Sequence, residues 1–443
     1  MEQGDTALAM LDNININDED VEDEDDEDDA IRPTDSLLVV AMTEDEMSHL
    51  EVQLFSEDGG LFVHHDITLP DFPLSLAWMD CPPFLAEEGQ QQAVGSYIAV
   101  GTFSPAIEIW NLDVLDPLEP SAVLGGEISS AKKKKQKFIK GSHEAAVMTL
   151  SWNNTFRQVL ASGSADTTVK IWDVTTQQCS HTLRHHSDKV QSVQWHPSQA
   201  SLLASGSFDR TVKVIDCRAT DTSEPVLSIS VPSDIECVCF DPHSGDLFLS
   251  MESGEIGCCD LRNASSLQII QAHKKTVSSI SFSSLIPGMM ATASVDKTIK
   301  IWDTIDRSNP FQPVAYKSMN VGKLFCLNFS QDQPFLLAAA GDKGVVAVWE
   351  SDEMEVIREH FSDRQLPPKE TYASLNHDRM NILTSNSNNT IDNDNNIDRI
   401  DGQINEQVNS TEVDNTDWID DNTGIATNQI SPKKKKNKKN KKI

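Results

Sequence analysis

The chain has 443 residues, of which 38% are hydrophobic, and a formal net charge of −33 at pH 7. So large a negative charge argues against simple non-specific binding to nucleic acid, and no apolar stretch approaches the roughly 18 residues of a membrane-spanning helix. The start of the chain lacks a basic and then apolar secretory signal, and no two of the eight cysteines form a Cys-x-x-Cys pair, so no zinc site is indicated.

The first predicted segment, residues 1–35, is acidic and poor in large apolar side chains. Within it, residues 18–29 are acidic at every position except Val21. A segment of this composition buries too little apolar surface to offset the entropy of ordering, so we expect it to be disordered. The acidic run suits contact with basic proteins such as histones or ribosomal proteins, and the alternative is a tail that only keeps the chain soluble.

Strand-like runs begin at Leu37. The first three are Leu37–Val40, Leu50–Phe55 and Leu61–Val63, separated by polar turns. No clear inner strand precedes them, because only the short apolar run Ala7–Met10 comes before the acidic residues. Either the sequence is short at its N-terminus or another segment completes this first unit.

A repeat occupies the middle of the chain. Its units close on the dipeptides Trp110-Asn111, Trp172-Asp173, Ile215-Asp216, Cys259-Asp260, Trp302-Asp303 and Trp349-Glu350. From the second dipeptide onward the intervals are 43, 44, 43 and 47 residues, and a period of about 40–45 residues closing on Trp-Asp is typical of a four-stranded propeller blade. With the unit at the start, the sequence predicts an all-β, seven-bladed WD-repeat propeller over residues 36–360.

Two basic blocks interrupt this acidic chain. One lies in an inter-blade insertion at residues 125–142, and the other ends an Asn-rich, low-complexity segment, residues 361–443, that we predict to be disordered. Both suit nuclear import or contact with RNA phosphates, and the alternative is solvated charge. The candidate residues are Lys132, Lys133, Lys134, Lys135, Lys137, Lys433, Lys434, Lys435 and Lys436. Ser431, which Pro432 follows, is a candidate phosphorylation site beside the second block.

Polar residues recur at matching positions of the repeats. One set is His143, Ser162, Asp166 and Trp172, a second is His273, Thr292, Asp296 and Trp302, and a partial third has Ser205 and Asp209, with His186 as a further candidate. A buried carboxylate must be paired and a buried Trp N–H needs an acceptor, so we interpret each set as a structural hydrogen-bond network. A trio that recurs once per blade does not describe a unique catalytic triad. We predict no enzyme, no cofactor and no metal site, since no phosphate loop or nucleophile elbow occurs.

Finer features of the sequence resemble one eukaryotic family. They are the strings Phe62–Ile67, Tyr97–Gly101, Ile107–Asp113, Leu150–Asn153, Val190–Pro197 and Val212–Arg218, with the lysine insertion between the third and the fourth. Over roughly residues 35–350 the chain resembles the first-member group of the periodic tryptophan protein family, within the WD-repeat superfamily. The resemblance implies a nuclear and nucleolar protein of ribosomal RNA processing and ribosome assembly, with ties to chromatin. Relatives in that family begin with an apolar strand before their acidic segment, and the Asn-rich tail is unlike them.

Two hypotheses of function follow. The first is a non-catalytic scaffold that binds proteins of pre-ribosomal particles, with histones or other basic proteins and RNA as further candidate partners. The second is a substrate receptor of a cullin-type ubiquitin ligase, because Asp216-x-Arg218 and Asp260-x-Arg262 follow blade ends, where such receptors carry an Asp-x-Arg box. Trp is missing before the Asp in both copies. Neither hypothesis includes a membrane or a small-molecule substrate.

Overall fold

The computed structural model describes residues 31–364, except for residues 33, 46, 57–58, 86–93, 129–136, 219–224, 263–265 and 306–311. The predictions made for the acidic run at 18–29, the block Lys132–Lys135, Ser431 and the C-terminal lysines lie outside the described residues. The rest is almost entirely β-strand, arranged as seven antiparallel sheets. This confirms the predicted seven-bladed propeller.

Five sheets, blades 2 to 6, have four strands each, paired in chain order. Blade 2 has β4 (Pro73–Met79), β5 (Tyr97–Thr102), β6 (Ile107–Asn111) and β7 (Ala122–Leu124); blade 3 has β8 (Val147–Trp152), β9 (Val159–Ser164), β10 (Val169–Asp173) and β11 (Gln178–Leu183); blade 4 has β12 (Val190–Trp195), β13 (Leu202–Ser207), β14 (Thr211–Asp216) and β15 (Leu227–Ser230). Blade 5 has β16 (Ile235–Phe240), β17 (Leu247–Met251), β18 (Glu255–Cys259) and β19 (Gln268–Gln271); blade 6 has β20 (Val277–Phe282), β21 (Met289–Ser294), β22 (Ile299–Asp303) and β23 (Pro313–Lys317).

The first and last blades have three strands among the described residues. Blade 1 has β1 (Ser36–Glu44), β2 (Met47–Phe55) and β3 (Leu61–Leu69); blade 7 has β24 (Leu324–Phe329), β25 (Leu336–Gly341) and β26 (Val346–Glu350). Strand β3 leads directly into the inner strand β4 of blade 2, which makes β3 an outer strand, so the strand that blade 1 lacks is the inner one. Blade 7 begins with an inner strand, so the strand that it lacks is the outer one.

Adjacent blades pack face to face, and hydrogen bonds link their inner strands. Small hydroxyl side chains in these strands accept backbone N–H groups of the next blade. Thr149 Oγ1 accepts from Val193 at 3.2 Å, and Ser192 Oγ accepts from Val238 at 3.0 Å. Gly163 lies at a close approach, since an added Cβ would stand 2.7 Å from Val190 Cγ1. Sheets covered on both faces explain why the second strands are almost wholly apolar or small.

Fewer residues are buried where blade 7 adjoins blade 1 than in the other blades. Strands β5 and β21, the second strands of blades 2 and 6, are buried at every position, whereas Val40 is the only buried residue of the nine in β1. On the inner strand of blade 7, Phe325 is 55% exposed and Cys326 is exposed. A cleft of about 280 Å³ separates the two blades and is lined by Met42, Gln53, Phe62 and Val345 among others. The cleft lies between the face of blade 1 and the turn that joins β25 to β26.

Two further features flank the blades. The ends of the lysine insertion meet as a short hairpin, in which Ile128 N–H donates to Lys137 O at 2.6 Å. After blade 7, a 3-10 turn, Ser351–Glu353, leads into a helix, Glu355–His360. The helix buries Ile357, and Phe361, which follows it, is also buried in the core shared by blades 6 and 7. No helix of the described residues is long and apolar enough to cross a membrane.

Candidate functional site

The four residues predicted for blade 3 form one chain of hydrogen bonds. Trp172 Nε1–H donates to Ser162 Oγ at 2.8 Å, Ser162 Oγ lies 2.7 Å from His143 Nε2, and His143 Nδ1 lies 2.9 Å from Asp166 Oδ2. An indole N–H can only donate, so Ser162 accepts from Trp172 and uses its own proton to donate to His143 Nε2. The ring proton of His143 is therefore on Nδ1, where it donates to the carboxylate.

Asp166 collects several donors at the end of the blade. Besides His143, it accepts the backbone N–H of Glu144 at 2.9 Å and both the N–H and the hydroxyl of Thr168, at 2.9 and 2.6 Å. Burial alone would raise the pKa of Asp166, but these hydrogen bonds outweigh burial and hold its pKa well below the ordinary value. Burial lowers the pKa of His143, in agreement with a neutral ring. All these partners are internal, which leaves this His-Ser-Asp trio no free nucleophile.

Blade 6 repeats the arrangement. Trp302 Nε1–H donates to Thr292 Oγ1 at 2.9 Å, Thr292 Oγ1 lies 2.8 Å from His273 Nε2, and His273 Nδ1 lies 3.1 Å from Asp296 Oδ2. Burial lowers the pKa of His273 to about 4, although the neighbouring carboxylate of Asp296 acts to raise it. Thr298, which the repeat pattern does not single out, donates its hydroxyl proton to Asp296 at 2.6 Å.

Blade 4 keeps the network without a tryptophan. His186 Nδ1 lies 3.0 Å from Asp209, and His186 Nε2 lies 2.9 Å from Ser205 Oγ. Ile215 stands at the position that Trp holds elsewhere and is 1% exposed. The hydroxyl of Ser205 lies near a second acceptor, Lys213 O, at 3.4 Å, so the site loses the Trp donor without leaving a buried hydroxyl unpaired.

Two blades with Trp lack the network. Trp110 Nε1–H donates to Glu108 at 3.1 Å, since the position ten residues before it is Val100 rather than Ser or Thr. In blade 7 the corresponding position is Ala339, and Trp349 Nε1 has no hydrogen-bond partner among the described residues. The network is therefore a property of blades 3, 4 and 6 in the part of the chain that the structure describes.

The burial of these three histidines leads us to expect that the folded chain loses stability in mild acid. The pKa values of His143, His186 and His273 are all lowered, mainly by burial. In the unfolded chain a His is protonated below about pH 6.5, whereas these rings stay neutral in the folded chain until a lower pH. The free energy of unfolding therefore decreases as pH falls through about 6.5. The slope is at most about 1.4 kcal/mol per pH unit for each His. Burial raises the pKa of Glu236 to about 7. Its protonation stabilises the folded chain as pH falls below that value, which offsets part of the loss of stability from the histidines.

Urea midpoints measured at pH 7.5 and pH 5.5 check this prediction. We expect a lower midpoint at pH 5.5, and a smaller drop for His273→Gln than for the native chain, even if the variant starts from a lower midpoint. Equal midpoints at the two pH values would show that these rings do not govern the acid response.

The two Asp-x-Arg motifs form local ion pairs. Arg218 Nη2 lies 2.6 Å from Asp216 Oδ2, and Arg262 Nη2 lies 2.8 Å from Asp260 Oδ2. The arginine side chains are 76% and 86% exposed, while their carboxylates are mostly covered. Each aspartate thus holds a guanidinium group at the surface of its blade.

The remaining predicted residues lie apart from these networks. Lys137 is at the base of the insertion hairpin, whereas the other predicted lysines and Ser431 lie outside the described residues. His64 and His65 place their Nδ1 atoms 2.8 Å apart. Throughout the described ranges, no group of three or more His, Cys, Asp or Glu side chains is arranged to hold a metal ion.

Comparison with known proteins agrees with this geometry. The WD domain, G-beta repeat model matches residues 133–173, 177–216 and 264–303. An uncharacterized WD repeat-containing protein of Schizosaccharomyces pombe is 45% identical over 75% of this chain and 64% of its own length. Periodic tryptophan protein 1 homolog of Drosophila melanogaster is 32% identical, covering 71% and 67%, and periodic tryptophan protein 1 of Saccharomyces cerevisiae is 29% identical, covering 75% and 66%.

Seven sheets in a ring and a repeated His-Ser/Thr-Asp-Trp network define a WD-repeat β-propeller, a class whose surfaces suit binding to other proteins. Within that class, the chain belongs to the periodic tryptophan protein 1 family, because about two thirds of the fly homolog aligns with it at 32% identity. The chain spans slightly less than two thirds of the two yeast relatives.

Proposed function

We propose that the protein is a non-catalytic scaffold of the nucleus and nucleolus that acts in ribosomal RNA processing and pre-ribosome assembly, and that it also contacts chromatin. The observation that carries this proposal is the use of the His-Ser/Thr-Asp trios as internal supports. Each carboxylate is occupied by donors of its own blade, as Asp166 is by His143, Glu144 and Thr168. What remains for function is the surface of the propeller, where proteins and RNA bind.

Family membership supports the particular process. The resemblance to the periodic tryptophan protein family implies ribosome assembly, and the basic blocks suit an acidic protein that enters the nucleus. The candidate partners are proteins of pre-ribosomal particles, histones or other basic proteins for the acidic run at 18–29, and RNA for the lysines.

Affinity purification from nuclear extract, with and without nuclease, tests the proposal. We expect pre-ribosomal proteins and precursor ribosomal RNA to co-purify, and a protein set that survives nuclease to identify the direct protein partners. Recovery of neither ribosomal proteins nor precursor RNA from an extract that contains both would contradict the proposal.

A second candidate function is a substrate receptor of a cullin-type ubiquitin ligase. The exposed guanidinium groups of Arg218 and Arg262, each fixed by a carboxylate, are the observation that favours it. The same purification separates the two functions. A substrate receptor should co-purify with a ligase adaptor, and the double variant Arg218→Ala, Arg262→Ala should lose that adaptor.

Nuclear placement gives a further prediction. We expect a tagged chain lacking residues 433–442 together with the lysines at 132–137 to leave the nucleolus, while each single deletion has a milder effect because the other block remains. Phosphate on Ser431 would add about −1.5 to −2 charges beside Lys433–Lys436 and weaken their attraction to acidic partners, so Ser431→Asp should be less nuclear than Ser431→Ala.

Imaging of the tagged forms provides the measurement. If the doubly deleted chain still concentrates in the nucleolus, the lysines only solubilise the chain and contacts of the propeller determine its placement. If the two Ser431 variants distribute alike, phosphorylation does not control import, whatever the role of the lysines.

A further inference from the structure

Five exposed lysines lie at one end of blades 6 and 7. They come from two loops and two turns, and we call them the blade 6/7 lysine patch: Lys274, Lys275, Lys297, Lys323 and Lys343. None belongs to the basic blocks that the sequence singles out. The chain as a whole has a net charge of −33, whereas the charge of this patch is positive.

Strand register places all five lysines at the same end of the two sheets. The start of β20 pairs with the end of β21 through Val277 and Ser294, which brings the loop carrying Lys274 and Lys275 beside the turn carrying Lys297. The start of β24 pairs with the end of β25 in the same way, which joins Lys323 to Lys343.

A contact between the two blades makes the patch continuous. Ser278 Oγ–H, at the start of β20, donates to Leu324 O, at the start of β24, at 2.8 Å. The backbone N–H of Lys323 lowers the pKa of Asp342 most. The positive charges of Lys323 and Lys297 lower it further. Charges from both blades therefore act on one region of the surface.

Little of this positive charge is neutralised by the same loops. Asp296 is occupied by the His273 network and the backbone N–H of Lys274. Asp342 forms one loose ion pair, 3.6 Å from Lys323 Nζ. Lys343 Nζ binds only a neutral group within this set, Asn320 O at 2.8 Å. Within these two loops and two turns, five ammonium groups thus accompany two aspartates, one of which is already engaged.

Backbone strain also marks one of the lysines. Lys297 has φ +75°, in the left-handed region, and its N–H closes the turn on Ser294 O at 3.0 Å. The same turn position is also at positive φ in blades 3, 4, 5 and 7, where it holds Thr167, Arg210, Gly254 and Gly344. Glycine takes this conformation without strain, so the chain retains a lysine where glycine fits the backbone better.

We propose that the blade 6/7 lysine patch binds the phosphate backbone of single-stranded RNA. The proposal rests on the function in ribosome assembly and assigns its RNA contact to this face of the propeller rather than to the two basic blocks. Lysines on flexible stems bind phosphates as point charges without reading base sequence. Such binding is driven by counterion release and weakens with salt in proportion to the number of phosphates contacted.

RNA suits this patch better than an acidic peptide does. The chain carries its own acidic run at residues 18–29, so a site selective for carboxylates would have a ligand attached to the same chain. Binding of RNA phosphates also gains free energy from the release of the counterions condensed along the strand. We therefore expect a poly-glutamate peptide to compete only weakly with RNA.

Fluorescence anisotropy of the full-length protein with a labelled 20-nucleotide uridine RNA tests the proposal. We expect measurable affinity at 0.1 M salt, and a loss of roughly tenfold or more in the double variant Lys297→Gly, Lys343→Ala. The slope of log affinity against log salt should become shallower by about 1.4 in that variant, since each phosphate contact with a single strand contributes about 0.7.

Controls separate binding from folding and from net charge. Lys297→Gly removes backbone strain, so its melting temperature should stay equal or rise while its affinity falls. Thr167→Gly makes the same change at the equivalent turn of blade 3, where φ is +68°, and should leave affinity unchanged. The double variant Arg184→Glu, Lys189→Glu matches the charge change of Lys297→Glu, Lys343→Glu on blade 4 and should bind RNA as the native chain does.

Three results would overturn the assignment. They are equal affinity of the native chain and the double variant, equal losses for the matched charge reversals on blades 4 and 6/7, and poly-glutamate binding as tight as RNA binding. If these variants behave as expected and pre-ribosomal particles still fail to co-purify from extract, the RNA site stands and the proposed process is wrong. If the particles co-purify while the native chain and the double variant bind RNA equally, the process stands and the RNA site is wrong.

Discussion

In native-state hydrogen exchange, amides of Leu37–Val63 should exchange roughly a hundredfold faster than those of β9 and β10 around Trp172. Among the described residues, strand β1 pairs with β2 on one side only, so the N–H groups along its other edge have no strand partner there. Unpaired edges and few buried contacts lower the free energy of local opening. Blade 1 is therefore expected to be the least stable part of the propeller.

Blade 6 provides the internal reference for this experiment. Its second strand, β21, is buried throughout and pairs on both sides, so its amides should exchange as slowly as those of blade 3. Protection of Leu37–Val63 equal to that around Trp172 would mean that another segment completes blade 1 in solution.

Replacing Asp166 by Ala should lower the free energy of unfolding by about 1–3 kcal/mol, since it leaves several buried donors without their acceptor. The donors are His143 Nδ1–H, the N–H of Glu144 and the hydroxyl of Thr168. For a domain of this size the melting temperature should fall by roughly 2–6 °C. Binding to partners should persist below the new melting temperature, because the carboxylate faces its own blade.

Two variants calibrate this result. Asp166→Asn keeps the shape and one acceptor oxygen but turns an amide toward a ring N–H, so an intermediate loss is expected. Asp188→Ala removes an exposed carboxylate whose hydrogen bond is to the adjacent backbone N–H of Lys189, and it should melt near the native value. An Asp166→Ala chain that melts normally but loses its partners would make Asp166 a recognition residue.

The ring and its buried network could be predicted because burial restricts residue choice. A Trp N–H and a carboxylate that leave water need partners at fixed positions, so His143, Ser162, Asp166 and Trp172 recur with a period that a sequence displays. Thr168 escaped notice because its role depends on turn geometry, which places its hydroxyl 2.6 Å from the carboxylate. A threonine two residues after an aspartate carries no such signal by itself.

Surface features were harder to predict for the opposite reason. Lys275 and Lys343 are far apart in the chain and belong to different blades, and only strand register and blade packing bring their loops to one surface. Exposed lysines tolerate any neighbour, so no periodic pattern marks them. The three-stranded form of blade 1 among the described residues could be anticipated from the absence of an apolar run directly before Leu37, but the cleft of about 280 Å³ between blades 1 and 7 required coordinates.

The order of strands along the chain also has a consequence for synthesis. Each of blades 2 to 6 is a contiguous stretch, as Val147–Leu183 is for blade 3, so its sheet can pair its own strands as soon as they leave the ribosome. Its faces, however, remain uncovered until the next blade follows. During synthesis, each new blade therefore exposes an apolar face that chaperones can bind. The core shared by blades 6 and 7 is complete only after Ile357 and Phe361 have been synthesised.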